Sequence, residues 1–323
     1  MEQGNGQVNW TPSNCLPAKG AVAPWTAMAY AHGASCVSYF RWRAATMPQE
    51  LMHSGLHRHD GTLDGGGEEV SVLEILGLTN ADVPARVALL HDYESLWVYD
   101  EQPHSQRASY WAQTMLFYGV LRSMGVDVDV RSPDHDLSGY DVIVAPAIQL
   151  MGNERADHLA AYAGTARLVF GPRTAYRTPS GRVHEDGQPG PLRELVGHAL
   201  LNFDALRPGL HVHVGSHQVE TWAEAYRPAS GRALMAYADG PLVGEAAVVR
   251  HGNAISIGAW STSLIGEVLA SVLTEAGIPV MALPEGVRVS RNGGTEIWMN
   301  FTERPATLPD GSTIGPVSFQ LRG

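Results

Sequence analysis

Glu2, Trp10, Glu50 and His53 are the residues in this 323-residue chain whose types and spacing could do chemistry. The run Glu2-Gln3-Gly4-Asn5-Gly6-Gln7-Val8-Asn9-Trp10 sets a carboxylate beside a glycine-rich turn and an aromatic platform. Phe40-Arg41-Trp42-Arg43 follows, and then Glu50 and His53. Such a set suits a sugar. A Trp ring offers a flat apolar face to the C–H side of a sugar ring, and carboxylate and imidazole exchange hydrogen bonds with hydroxyls. The competing reading makes Trp10 and Trp42 core residues and Glu50 a solvated surface charge. Composition leaves both open.

The elements that must position these residues begin abruptly. A glutamate directly before a glycine-rich turn needs a scaffold, and none precedes Glu2 in this sequence. Pro24 to His32 reads as a short helix, with Pro in its first turn and Gly33 past its end. Ser35 to Phe40 reads as a buried strand, and Glu68 to Leu76 as a helix after a polar stretch ending at Gly65-Gly66-Gly67. From about Pro84 strands (Arg86–Leu90, Val126–Val130, Tyr140–Ala145, Ala166–Phe170) alternate with helices (Ser105–Met124, Glu154–Ala163). That spacing predicts an α/β fold with an open, mainly parallel sheet. Leu210 to Gly258 holds more strand than helix, and Leu264 to Gly277 is one more helix. Gly286 to Leu321 has the short runs and turns of a small antiparallel β domain.

Composition narrows the function. Hydrophobic residues make up 44% and charged residues 17%, as in folded globular protein. With 33 acidic and 22 basic residues the formal charge is −11, which disfavours nucleic acid as a partner. No run approaches the ~20 apolar residues of a membrane span, so no membrane partner is expected. No basic start leads into an apolar run, so a cytoplasmic location is expected, subject to a signal upstream of Met1. Cys15 and Cys36 are too few for a disulfide framework. No cysteine follows Cys36, which excludes cysteine-nucleophile amidotransferase chemistry in the α/β region. His91-Asp92-Tyr93-Glu94 after its first strand replaces a dinucleotide fingerprint. His211-Val212-His213 lacks the accompanying carboxylates of a metal site and reads as a surface or packed pair, as do His57 and His59.

Several of these motifs, in order and at compact spacing, resemble glycoside hydrolase family 42, the β-galactosidases. They are Glu2 to Trp10, Ala31-His32-Gly33-Ala34, Tyr39-Phe40-Arg41-Trp42-Arg43 and Glu50-Leu51-Met52-His53-Ser54-Gly55-Leu56. The resemblance implies that residues 1–82 are the C-terminal remnant of a (β/α)8 TIM barrel. Residues 83–285 would be a flavodoxin/glutamine-amidotransferase-like trimerisation domain, and 286–323 a small antiparallel β domain. It implies Glu2 as nucleophile, Trp10, Glu50 and His53 as galactose-binding residues, and Phe40 as a wall. Arg41 and Arg43 would orient Glu2 or Glu50, or form structural ion pairs. Trp97-Val98-Tyr99-Asp100-Glu101-Gln102 would lie near subunit contacts of a homotrimer; the alternative is a loop packed on its own domain.

The expected reaction is retaining hydrolysis of terminal β-D-galactosides. The family's acid/base, a glutamate preceded by asparagine near the end of the fourth barrel strand, has no residue at a matching position in this sequence, so the lone chain is expected to be nearly inactive. No cofactor is expected, because the zinc-binding cysteines of some relatives fall outside the matched portion. The alternative is a non-catalytic oligomerisation module, or one chain of a split glycosidase.

Overall fold

The computed structural model describes residues 2–47, 49–73, 85–103 and 105–323. They form two compact units. One takes the residues up to Pro84 with Ser123–Asp127 and Met281–Gly323; the other takes Ala85–Arg122 and Val128–Val280.

The first unit opens with strand β1 (Glu2–Gly4), helix α1 (Val22–Ala31) and strand β2 (Ser38–Phe40). β1 and β2 pair in parallel, with Glu2 opposite Ser38 and Gly4 opposite Phe40. A parallel pair needs a crossover, and α1, rich in the strong helix former Ala, supplies it. Three amides at and before its first turn, those of Gly20, Val22 and Ala23, donate to the Glu69 carboxylate at 2.7, 2.9 and 3.3 Å. This satisfies donors that a helix start leaves open and sets a negative charge at its positive end. Gln3 Nε2 donates to Thr26 Oγ1 at 3.1 Å, and Thr26 Oγ1 bonds Tyr39 OH at 2.7 Å, so strand, helix and strand are stitched together.

Helix α2 spans Gly65–Ser71, earlier than the expected Glu68–Leu76, because the Asp64 carboxylate accepts from Gly65 N and caps the start there. Residues 74–76 lie outside the described residues. α2 lies so close to the turn after β1 that a Cβ on Gly66 would collide with the Asn5 carbonyl oxygen. The strand expected over Ser35–Phe40 is shorter and only half-buried. β2 pairs with β1 alone among the described residues, so half its edge lacks a strand cover.

The second unit contains β3 (Val87–Leu90), α3 (Tyr93–Glu101), α4 (Tyr110–Ser123), β4 (Val128–Arg131), β5 (Val142–Ala145), α5 (Asn153–Ala161) and β6 (Arg167–Phe170). α6 (Arg193–Val196), β7 (His198–Asp204), β8 (Val212–Val214), β9 (His217–Val219) and β10 (Ala223–Pro228) follow. β11 (Arg232–Ala236), β12 (Ala246–His251), β13 (Ala254–Ile257) and α7 (Thr262–Glu275) complete it. The expected start at Pro84 lies outside the described residues. α4 is shorter than Ser105–Met124 because Ser109 caps it, its Oγ accepting from Ala112 N at 3.0 Å.

A nine-stranded sheet runs β4-β3-β5-β6-β13-β12-β10-β7, with β11 also on β12. It is parallel from β4 to β13 and antiparallel beyond, so the expected mainly parallel sheet is a mixed one. The tight Gly252-Asn253 turn, with Gly252 at φ +55°, folds β12 back on β13. β13 lies parallel to β6 and so carries the antiparallel strands into the same sheet. Leu90, Ile143, Leu159 and Leu168 centre one core; Tyr99, Tyr110 and Trp222 centre another.

The chain then returns to the first unit. β14 (Val287–Asn292), β15 (Thr295–Asn300), the short β16 (Ala306–Thr307) and β17 (Thr313–Ile314), and β18 (Ser318–Arg322) are antiparallel. Ile297 and Met299 of β15 pack against Ala27 and Ala31 of α1. No helix among the described residues is long and apolar enough to cross a membrane.

Candidate functional site

The segments after β1 and β2 are tied to each other by polar bonds that their own sequences provide. Asn5 Nδ2 donates to Arg41 O at 3.2 Å, and Gln7 N donates to Ser54 Oγ at 3.0 Å. Ser54 N returns a bond to Gln7 O at 3.0 Å, and Asn14 Nδ2 donates to Met52 O at 2.8 Å. Gly55 sits where a Cβ would strike the backbone of Arg43 and Ala44, so the loop carrying Glu50 and His53 folds back over the chain leaving β2.

This folding brings four of the five expected site residues together. The His53 ring is buried, 2% exposed, with its Nε2 at 3.3 Å from Phe40 O. Its face meets the Trp10 ring at 4.7 Å between centroids, and the Phe40 ring stands edge-on to it at 5.1 Å. His53 Nδ1 is buried with no partner among the described residues. Glu50, held at φ +57°, pairs with Arg41, whose guanidinium lies 4.6 Å from the Phe40 ring centre. The Arg41 bond to Glu50 fits both an orienting role and a structural ion pair. Arg43 donates from Nε to His59 O at 3.1 Å.

Trp10 is 64% exposed and Trp42 71%, so neither is a core residue. Trp42 stacks on His57 instead, at 4.4 Å. Glu2 is exposed at the start of β1, two register positions before Phe40, and its side chain makes no hydrogen bond to another described residue. The arrangement offers one exposed aromatic face, one buried imidazole nitrogen in need of a partner, and carboxylates for a polyhydroxyl ligand.

A second polar group lies in the second unit, and nothing in the sequence announces it. Glu224, 3% exposed, accepts from Trp222 Nε1 at 3.0 Å, Arg173 N at 3.0 Å and Tyr226 OH at 3.1 Å. Burial pushes its carboxyl up to about 7 against those bonds and the Arg173 charge. The Arg173 guanidinium lies 4.0 Å from the Tyr99 ring centre and 5.2 Å from that of Trp222. His198 stacks on Tyr226 at 4.1 Å, and burial pushes its imidazole down to about 4. Arg173, His198, Glu224 and Tyr226 line a cavity of about 20 Å³, room for about one water.

Elsewhere, His213 binds Asp239 at 2.7 Å, and that bond lowers the Asp239 carboxyl. Cys15 and Cys36 are both exposed, and no three metal-ligating side chains converge among the described residues. The segment 97–102 is not a loop. It continues α3, signalled by Asp92, whose carboxylate accepts from Ser95 N at 3.1 Å, and by Glu94 in the first turn.

Comparison with known proteins gives the family. The family model of the β-galactosidase trimerisation domain matches residues 85–279, and that of β-galactosidase matches residues 1–76. A β-galactosidase of Halorubrum lacusprofundi is 38% identical over 351 residues, covering 99% of this chain and 49% of the relative. The solved β-galactosidase of the same haloarchaeon is 37% identical with a TM-score of 0.89, covering 99% of this chain and 52% of that one. The β-galactosidase of the psychrophilic Marinomonas ef1 is 30% identical with a TM-score of 0.91, covering 99% and 52%. The chain thus spans about half the length of the relatives it matches.

Proposed function

The chain belongs to glycoside hydrolase family 42, and from that premise we propose that it supplies the nucleophile and galactose-binding half of a retaining β-galactosidase site. The observation that carries this reading is His53. Its buried, unpartnered Nδ1 beside the exposed Trp10 ring is completed by a sugar hydroxyl while Trp10 covers the C–H face. Glu50, held by Arg41, accepts from a neighbouring hydroxyl, and Phe40 walls the pocket.

Glu2 attacks the anomeric carbon and forms a glycosyl–enzyme ester, which water then hydrolyses. A second carboxyl, about 5–5.5 Å away, must protonate the leaving oxygen and later activate that water. It has to stay protonated near neutral pH. No residue of this chain matches that acid/base, so the lone chain turns over galactosides extremely slowly.

In this reading β1, α1 and β2 belong to the end of a (β/α)8 barrel over residues 1–82. Residues 83–285 form a flavodoxin/glutamine-amidotransferase-like domain that builds a homotrimer, and 286–323 a small β domain; the protein is cytoplasmic. A second reading is a non-catalytic module or one chain of a split glycosidase, and an apolar groove of about 580 Å³ beside β1, lined by Val8, Leu16, Trp25 and Met28, favours it. Hydrolysis of a chromogenic aryl β-galactoside by the chain and by Glu2→Gln tests both. Turnover abolished in Glu2→Gln establishes the nucleophile and refutes the need for a partner chain. Equal background rates in both support the near-inactive lone chain and leave assembly as its function.

A further inference from the structure

Ser263, His217 and Glu267 form a hydrogen-bonded line in the second unit that the galactosidase reading does not use. His217 Nδ1 lies 3.0 Å from Ser263 Oγ, and its Nε2 lies 3.0 Å from Glu267 Oε2. Ser263 and Glu267 stand four residues apart on α7, hence on one face of that helix. His217 reaches them from β9. An ionised carboxylate only accepts, so one neutral tautomer satisfies both bonds. Nε2–H donates to Glu267, and the Nδ1 lone pair takes the Ser263 hydroxyl proton. This is the order nucleophile, base, orienting carboxylate, with the two imidazole nitrogens exchanged relative to the commoner arrangement.

Three further observations sit at the same place. Ser261 caps α7, its Oγ accepting from Leu264 N at 3.4 Å and its carbonyl from Ile265 N at 3.0 Å. The amides of Thr262 and Ser263, in the first turn, have no intrahelical acceptor and point out of the positive end of a 14-residue helix. Ser261, Thr262 and Ser263 line an open hollow of about 400 Å³ together with Gln218 and Trp260, within the range of small-molecule pockets. Trp260 is 8% exposed, and its indole N–H is buried with no acceptor among the described residues.

We propose that this hollow is a serine-hydrolase site for small uncharged carboxylic esters, with Ser263 as nucleophile, His217 as base and Glu267 as the group that orients it. Ser263 Oγ bonds to the acyl carbon as its proton passes to His217 Nδ1, and the first-turn amides of α7 receive the oxyanion. The ester C–O bond breaks, and the leaving alkoxide takes the proton from His217. Water repeats the sequence on the acyl-serine, releasing the acid and restoring the hydroxyl. The residues that line the hollow include no cation, and Arg107 is paired with the lining Glu220 at 3.5 Å, which disfavours anionic substrates such as phosphate esters.

The test treats the full chain with a fluorophosphonate probe, maps the adduct by peptide mass spectrometry, and follows 4-nitrophenyl acetate hydrolysis in parallel. The expected adduct is on Ser263, absent in Ser263→Ala, with hydrolysis lowered about 100-fold in His217→Gln. Glu267→Gln keeps the adduct but slows its formation. Ser263 is exposed, so near-UV circular dichroism of Ser263→Ala should match the parent. An unlabelled Ser263, or ester hydrolysis as fast in Ser263→Ala as in the parent, overturns the proposal.

Discussion

The two units hold the same three residue types in opposite surroundings. In the first, Trp10, Glu50 and His53 gather with Arg41 at a surface: the indole is open, the carboxylate is half-exposed, and only the imidazole is buried. In the second, Trp222, Glu224 and His198 gather with Arg173 inside the protein, and all four are almost wholly buried. One set presents an aromatic face at the surface. The other closes around a cavity with space for about one water and serves the core that holds β10 against β7 and β12. The two imidazoles are equally buried, so the indole and the carboxylate alone separate the two settings.

Hydrogen exchange gives the widest separation between the two. Amides of β3, β5 and β6 lie within a nine-stranded sheet and should exchange only on global opening, at a cost of about 5–15 kcal/mol. Amides of β1 and β2, a two-stranded pair, should exchange far faster, since such a pair has little stability of its own. Uniform protection from residue 2 to residue 280 would erase the contrast.

Substitution of the two indoles sharpens it. Trp222→Ala should lower unfolding free energy in urea by about 3–5 kcal/mol, while Trp10→Ala should change it by no more than about 0.5 kcal/mol. Equal losses would mean that Trp10 is a packing residue after all.

The smallest expected effect concerns pH. The Glu224 carboxyl is raised in the folded state, so the stability it confers is full below about 4.5 and is lost as pH rises through about 7. The His198 imidazole is depressed, so its contribution is full above about 6.5 and is lost as pH falls through about 4. Between these limits the two slopes oppose each other. Glu224→Gln should leave stability rising with pH from about 4 to 6.5, and His198→Gln should leave it falling from about 4.5 to 7. Denaturant titrations at several pH values read both, and identical profiles in parent and variants would dismiss either group as a titrating one.

Much of this was legible in the residues. Periodicity located β3, β5, β6, α5 and α7 to within a few positions, because buried apolar runs and helix caps are local signals. Trp10, Glu50 and His53 were singled out by residue type and Phe40 by the family resemblance, and the loop bonds from Asn5, Gln7 and Asn14 explain why the four meet. Less legible was α3: Trp97 to Gln102 mixes aromatics with acids, which leaves a loop open as an alternative until Asp92 is recognised as the helix cap. The antiparallel half of the sheet was hidden because register between β13 and β6 is a long-range property. The Glu224 group was hidden more completely, since a carboxylate in a strand reads as solvent-facing and only tertiary packing buries it.

Gly66 has a consequence for anyone mapping this protein by mutational scanning. Every side chain larger than hydrogen there drives α2 into the Asn5 carbonyl, and Asn5 anchors the chain that leads to Trp10. Library selections on the proposed sugar binding would therefore score Gly66 with the residues proposed to touch the ligand, although it has no functional group to offer. Ranking positions by fitness alone would enrol a spacer among the chemists.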